Sequence, residues 1–257
     1  MYSGLAAARS ALSSVVCLPG YKSIAEHPMI SRFLKGVYNK HPPLPKYSRI
    51  WDINVVLKYY DSLPPNELLD LKQLTHKVAV LLMILGAKRK QTLLTINIDN
   101  ITFSGNQLII LPNSVQKHNK PGRHIEAITY NQYVENQKLC IVNCMGIYLQ
   151  KRKHLVPVDV KPLFITYGTP HKPASSDTLS RWVKADLKSA GVDTSVFQAH
   201  SCRSASASKA KEKGVPVQYI LKRGCWKAES TFRTFYDKQI INHGTEVEED
   251  YVNLILN

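Results

Sequence analysis

His200-Ser201-Cys202-Arg203 sets an imidazole and a guanidinium three residues apart, a spacing that brings both to one face of a helix. Apolar residues at helical spacing run from here to Lys213, so the pair would stand at a helix start, where unpaired N–H groups carry partial positive charge. An imidazole, a fixed cation and a helix N-terminus meeting at one point suit a phosphate. The same two residues could also face solvent, and alone they do not decide between these uses. Further along, Gly224-Cys225-Trp226 puts an indole 23 residues after Arg203, and Ser230-Thr231-Phe232-Arg233-Thr234-Phe235-Tyr236 puts a phenol 10 residues beyond the indole. Trp226 and Tyr236 could instead be core filler, Tyr236 being one of 13 tyrosines, and Phe232 and Phe235 beside it read as core. Upstream, Gly86-Ala87-Lys88-Arg89-Lys90-Gln91-Thr92-Leu93-Leu94 sets a second arginine directly after the longest apolar run. Ser10, Ser201 and Cys202 are not read as nucleophiles, because no base and orienting acid can be argued for any of them.

The elements that must hold these groups follow from periodicity and breakers. The spacing predicts helices over residues 51–63, 66–87, 139–155, 177–190, 201–213, 217–222 and 229–238, with Gly191 and Gly214 as stops. Residues 78–85 are apolar nearly all round, as in a helix at a domain centre. Between residues 101 and 130 short apolar stretches, 101–103, 107–111 and 124–130, are joined by Ser104-Gly105-Asn106 and Lys120-Pro121-Gly122, which reads as three antiparallel strands. The fold class expected is mainly α with one small sheet (α+β). Pro42-Pro43-Leu44-Pro45-Lys46-Tyr47-Ser48 cannot continue a helix and is the candidate linker. Before it, residues 24–39 carry Ile30, Phe33, Leu34 and Val37 at helical spacing, and residues 1–45 read as the end of a larger helical unit. The Ser- and Ala-rich run from 201 to 210 reads as close helix packing.

Composition narrows the partners. At 257 residues, 44% hydrophobic and 21% charged, the chain can bury a core. The longest uncharged apolar run, residues 78–87, is about half the length that spans a bilayer, so no membrane partner is expected. The formal charge is +15, and residues 241–257 hold no Lys or Arg but four acids, Glu246, Glu248, Glu249 and Asp250, so the basic excess sits in the body. That is the footprint of a nucleic-acid binder. Five scattered cysteines, an odd number, argue for a reducing compartment, cytosol or nucleus. Cys140 and Cys144 lie one turn apart, but no neighbouring pair completes a zinc set, so no metal is expected.

Taken together, the order Arg89, HxxR at 200–203, Trp226 and Tyr236 resembles the tyrosine recombinases, the phage-integrase-type enzymes that break and rejoin DNA. The resemblance covers most of residues 51–238. It is nearest to the eukaryotic Crypton-like and DIRS-like transposon recombinases, where the first arginine stands in a Gly-x-x-Arg-x-Gln-Thr-Leu context and the end reads Trp, Ser-Thr-Phe, Phe-Tyr. Thr92 stands where many members have an acid, Cys202 precedes the second arginine where Leu is usual, and Gly224-Cys225-Trp226 replaces Leu-Gly-His. The resemblance implies an integrase-type catalytic domain over 46–240 after a partial core-binding domain, no cofactor, no small-molecule substrate, double-stranded DNA as partner and a nuclear location.

Residue by residue, the resemblance makes Tyr236 the nucleophile that forms a 3′-phosphotyrosyl link. Arg89 and Arg203 would hold the phosphate, His200 would be acid-base partner, and Trp226 would donate its indole N–H. The physics agrees: a phenol with a pKa of about 10 is a weak nucleophile and needs cations for the developing charge. The family's sheet lysine, which protonates the departing 5′-oxygen, maps to Lys117, with Lys120 as alternative. Lys88, Lys90, Lys120 and Arg123, with Arg181, Lys222 and Arg223, are the cations expected on DNA phosphates. The tail, 241–257, is expected to dock either on a second protomer, in a homo-oligomer on DNA, or on its own domain. Two other readings stand beside this one: a domesticated DNA-binding protein of the same fold without catalysis, and a type IB topoisomerase, for which the chain is short.

Overall fold

The computed structural model describes residues 2–42, 47–113 and 126–241. Its contacts separate two compact units, Met1–Lys46 and Tyr47–Asn257. In the first, α1 (Tyr2–Leu12) and α2 (Pro28–Lys40) pack on each other and on a 3-10 turn at Ile24–Glu26, with the rings of Tyr2 and Tyr38 edge to face at 5.3 Å. The helix expected from residue 24 starts at Pro28, because a proline disfavours helical backbone in the residue before it and is itself well placed in a first turn. His27 is accordingly extended, and its Nδ1 accepts the Met29 N–H.

In the second unit the order is β1 (Arg49–Trp51), α3 (Ile53–Ser62), α4 (Leu71–Gly86), α5 (Lys90–Leu94), β2 (Ile101–Ser104), β3 (Gln107–Ile110), β4 (Ile128–Asn131), α6 (Ile141–Lys153), α7 (Ser176–Ser189), α8 (Ser201–Glu212), α9 (Val217–Gly224), α10 (Glu229–Phe235) and β5 (Gln239–Ile241). The apolar run noted in the sequence lies in α4, buried from Leu74 through Ile84 and packed against α6, α7 and α8. A capping box fixes its start: Asp70 Oδ1 accepts the Gln73 N–H and Gln73 Oε1 accepts the Asp70 N–H. Its one buried ammonium, Lys77, donates to Asn66 Oδ1 at 2.8 Å. Helices α3 and α4 are tied to α7 through Asp186, whose carboxylate meets Tyr60 Oη of α3 at 2.7 Å and His76 Nδ1 of α4 at 2.8 Å.

The three expected strands form the antiparallel sheet β2-β3-β4, with Leu108 opposite Tyr130 and Ile110 opposite Ile128 turned into the core. Gly191 (φ 92°) and Gly214 (φ 77°) follow α7 and α8 in the left-handed region, as the stops required. Three points differ from the sequence reading. Trp51 belongs to a strand, because Asp52 accepts the Asn54 N–H and so begins α3 after it. A second sheet pairs β1 with β5 in parallel, burying Ile50 against Ile240. And α10 ends at Phe235, so Tyr236 stands just outside a helix.

Helix α8 is buried along almost its whole length, with Ser and Ala keeping its surface low enough to meet α4, β1 and α3. Its hydroxyls bond outward: Ser206 to Ile84 O, Ser204 and Ser208 to Tyr236 O, while Ser201 Oγ accepts the Trp51 indole N–H at 2.8 Å. Burial pushes the Cys202 thiol up to about 12.

Candidate active site

Arg203 lies in the first turn of α8 and is 1% exposed, a large cost for a guanidinium unless its donors are satisfied. Its Nη1 donates to Ala87 O and its Nη2 to Gly224 O. Those carbonyls stand at the C-terminal ends of α4 and α9, where the helix dipoles are negative, and both chains turn there through left-handed residues, Ala87 (φ 47°) and Cys225 (φ 55°). One cation therefore clamps two helix ends together. Burial, then the neighbouring Arg89 charge, lower its pKa to about 10, partly offset by the nearby Tyr236 phenol, so it stays charged at neutral pH.

Arg89 is the residue before α5, two positions beyond the carbonyl that Arg203 holds, and is half-buried. Among the described residues neither arginine forms an ion pair with a carboxylate. Two adjacent guanidinium charges without such a counter-ion make a point of high positive potential, whose natural complement is an anion. Both residues line a cleft of about 790 Å³ that also takes in Thr92, Lys222 and Cys225.

Trp226 lies against this cation, its ring 3.9 Å from the Arg203 guanidinium carbon. Gly224 makes that possible: a Cβ there would run into the indole. The Trp226 Nε1–H and the Arg203 Nε–H are buried with no acceptor among the described residues. Tyr236 completes the cluster, its ring 4.8 Å from the Trp226 ring, 5.1 Å from the Arg203 guanidinium and 6.1 Å from the His200 ring. His200 is the exposed residue before α8, and Tyr236 is half-buried. Its carbonyl accepts Ser204 Oγ at 2.8 Å and Ser208 Oγ at 2.9 Å.

Arg89, His200, Arg203, Trp226 and Tyr236 are thus gathered at one place, while the cations expected on DNA are more divided. Lys88 is 8% exposed, its ammonium turned inward to Arg223 O at 2.7 Å and Cys225 Sγ at 3.5 Å, and burial lowers its pKa. Arg223 donates to Leu85 O and Thr129 O and covers the Tyr130 ring at 4.6 Å. These two side chains tie α9 to α4 and β4. Lys90 Nζ bonds Ser180 Oγ of α7, and Arg181 and Lys222 are exposed. Lys117, Lys120 and Arg123 lie outside the described residues, as does the tail beyond Ile241. The sequence reading missed Ser204 and Ser208, whose signal was their one-turn spacing directly after Arg203.

No curated protein sequence matches the chain. Among solved structures its fold is similar to that of XerH site-specific recombinase in a post-cleavage complex with palindromic difH substrate, at 15% identity and a TM-score of 0.58, covering 81% of this chain and 53% of XerH. It is also similar to XerA recombinase (14% identity, TM-score 0.55, 98% of this chain and 90% of XerA). A lambda integrase dimer bound to a COC' core site gives 17% identity and a TM-score of 0.51, covering 95% of this chain and 61% of the integrase. The chain spans about half the length of XerH in that complex. At these identities the likeness shows the fold, mainly helical with one small antiparallel sheet. The sequence profile of the phage integrase family matches residues 58–240, a stretch that contains Arg89, His200, Arg203, Trp226 and Tyr236. The chain belongs to the phage integrase family, that of the tyrosine recombinases.

Proposed function

We propose that this protein cuts and rejoins duplex DNA through a covalent bond to Tyr236. The observation that carries the proposal is the contact of the Tyr236 ring with Arg203 and Trp226, beside Arg89 and His200. The Tyr236 oxygen attacks a backbone phosphorus, the bond to the 5′-oxygen breaks, and a 3′-phosphotyrosyl link and a free 5′-hydroxyl result. Arg89 and Arg203 stabilise the non-bridging oxygens, and Arg203 Nε–H and Trp226 Nε1–H, which have no acceptor among the described residues, are further donors for them. His200 manages the phenol proton. Lys117, or Lys120, donates the proton to the leaving 5′-oxygen. Rejoining is the reverse attack by a 5′-hydroxyl, with the bond energy kept in the link. The residues named need no cofactor.

The partner is double-stranded DNA, bound by the basic body of the chain as a homo-oligomer, in the nucleus. The motif forms around Arg89 and from Trp226 to Tyr236 support an origin in the Crypton-like or DIRS-like transposon branch. The test is a nicked suicide duplex taken from the genomic flanks of the gene, incubated in chelator with the wild type and with Tyr236→Phe. A protein–DNA adduct on a denaturing gel, lost in Tyr236→Phe, is expected. Salt-sensitive binding without an adduct would replace this reading with that of a non-catalytic DNA-binding protein.

A further inference from the structure

Tyr236 caps a helix of 7 residues in which only Phe232 is buried, its N–H bonded to Phe232 O at 2.8 Å, and Asp237 and Lys238 separate it from β5. Its carbonyl lies past the end of that helix and is held from outside it. The Tyr236 carbonyl accepts two hydroxyls, from Ser204 at 2.8 Å and Ser208 at 2.9 Å, filling both of its lone pairs. Both serines are buried, at 4% and 3% exposure, and Ser208 Oγ in turn accepts the Lys238 N–H at 2.9 Å. A serine inside a helix commonly bonds its own helix's carbonyl four residues back, and neither of these does. Ser204 is also the residue after Arg203, so one turn of α8 fixes both the phosphate-facing guanidinium and the main chain of the tyrosine.

We propose that Ser204 and Ser208 are positioning residues for the nucleophile: their two hydroxyls lock the Tyr236 backbone to the helix that carries Arg203 and so set the approach of the phenol oxygen to the phosphate. The proposal rests on the strand-cleavage reading above. Its chemistry is that of pre-orientation, in which a displacement of about 1 Å costs on the order of a hundredfold in rate. Neither serine touches the reacting atoms.

The test compares Ser204→Ala/Ser208→Ala with the wild type in single-turnover adduct formation at saturating suicide duplex. The rate is expected to fall by about tenfold to a hundredfold, with the Kd for DNA within about twofold of wild type because no phosphate contact is removed. Ser204→Thr/Ser208→Thr, which keeps both hydroxyls, should recover most of the rate. Ser206→Ala removes a buried bond from the same helix to Ile84 O and controls for general loosening of α8; its rate should stay within about twofold. An unchanged rate in the double alanine variant, or an equal loss in Ser206→Ala, overturns the proposal. A second readout needs no cleavage: 3-fluorotyrosine in place of Tyr236, followed by fluorine NMR on the free protein, should give one narrow line that shifts or broadens with both alanines and not with Ser206→Ala. If the wild type forms no adduct, the cleavage reading falls by itself, and the fluorine line still decides the positioning role: a line unmoved by the two alanines overturns it.

Discussion

Arg203 and Arg89 carry the same charge and hold it in different ways. Arg203 is buried and bonded to the ends of two helices, so removing it orphans two carbonyls and opens a gap under Trp226. Arg89 is half-buried at the head of a five-residue helix. Arg203→Ala should therefore lose about 3 kcal/mol of stability and all cleavage, whereas Arg89→Ala should stay within about 1 kcal/mol and lose cleavage alone. Urea unfolding beside adduct formation separates the two, and equal destabilisation would contradict the assignment. Arg89, His200, Arg203, Trp226 and Tyr236 were read from the sequence through their motif order and the resemblance it carries to the tyrosine recombinases, since each alone could equally be surface or core. What spacing could not give was the use of each side chain. Lys88 and Arg223 were expected on DNA phosphates, and the structure shows in addition that each bonds main-chain carbonyls where α4, β4 and α9 meet.

Among the elements, the long helices and the three-stranded sheet were legible, because α4, α7 and α8 have clear periodicity or stops and Gly105 sits in a turn between alternating strands. The pair β1 and β5 was not: three-residue strands are too short to show alternation, and their partners are almost the full length of the domain apart in sequence. Helix α8 shows a related gap. Its low, Ser-rich surface was read as packing, and its hydroxyls in addition tie β1, the end of α4 and the Tyr236 carbonyl to one rod. Trp51→Phe removes the indole donor to Ser201 and leaves a buried hydroxyl with one partner fewer. It should cost about 1 to 2 kcal/mol, read as a lowered midpoint in urea, and a neutral result would show that β1 is held by packing alone.

For the molecule as a whole, the buried thiols are one source of lost stability at alkaline pH, beside buried phenols such as Tyr60 and Tyr148. Cys202 and Cys144 each have a folded pKa of about 12 against a starting value of 9.0, so their stabilisation is complete below pH 9 and is lost as pH rises toward 12. Wild type minus Cys202→Ala should shrink by about 1.4 kcal/mol per pH unit above pH 9 in denaturant titrations; a constant difference would show that the thiol is not excluded from water. The chain's net charge of +15 is concentrated outside its acidic tail, and under the proposed function that charge would bring it to DNA and the clustered site would use it chemically. The most direct measurement of that use is the site of attachment. After incubation with a suicide duplex, nuclease and trypsin digestion should leave a nucleotide, joined through its 3′-phosphate, on the peptide Thr234-Phe235-Tyr236-Asp237-Lys238, and mass spectrometry should localise it to Tyr236. A nucleotide on any other residue, a link through a 5′-phosphate, or DNA bound with no link at all would contradict the account.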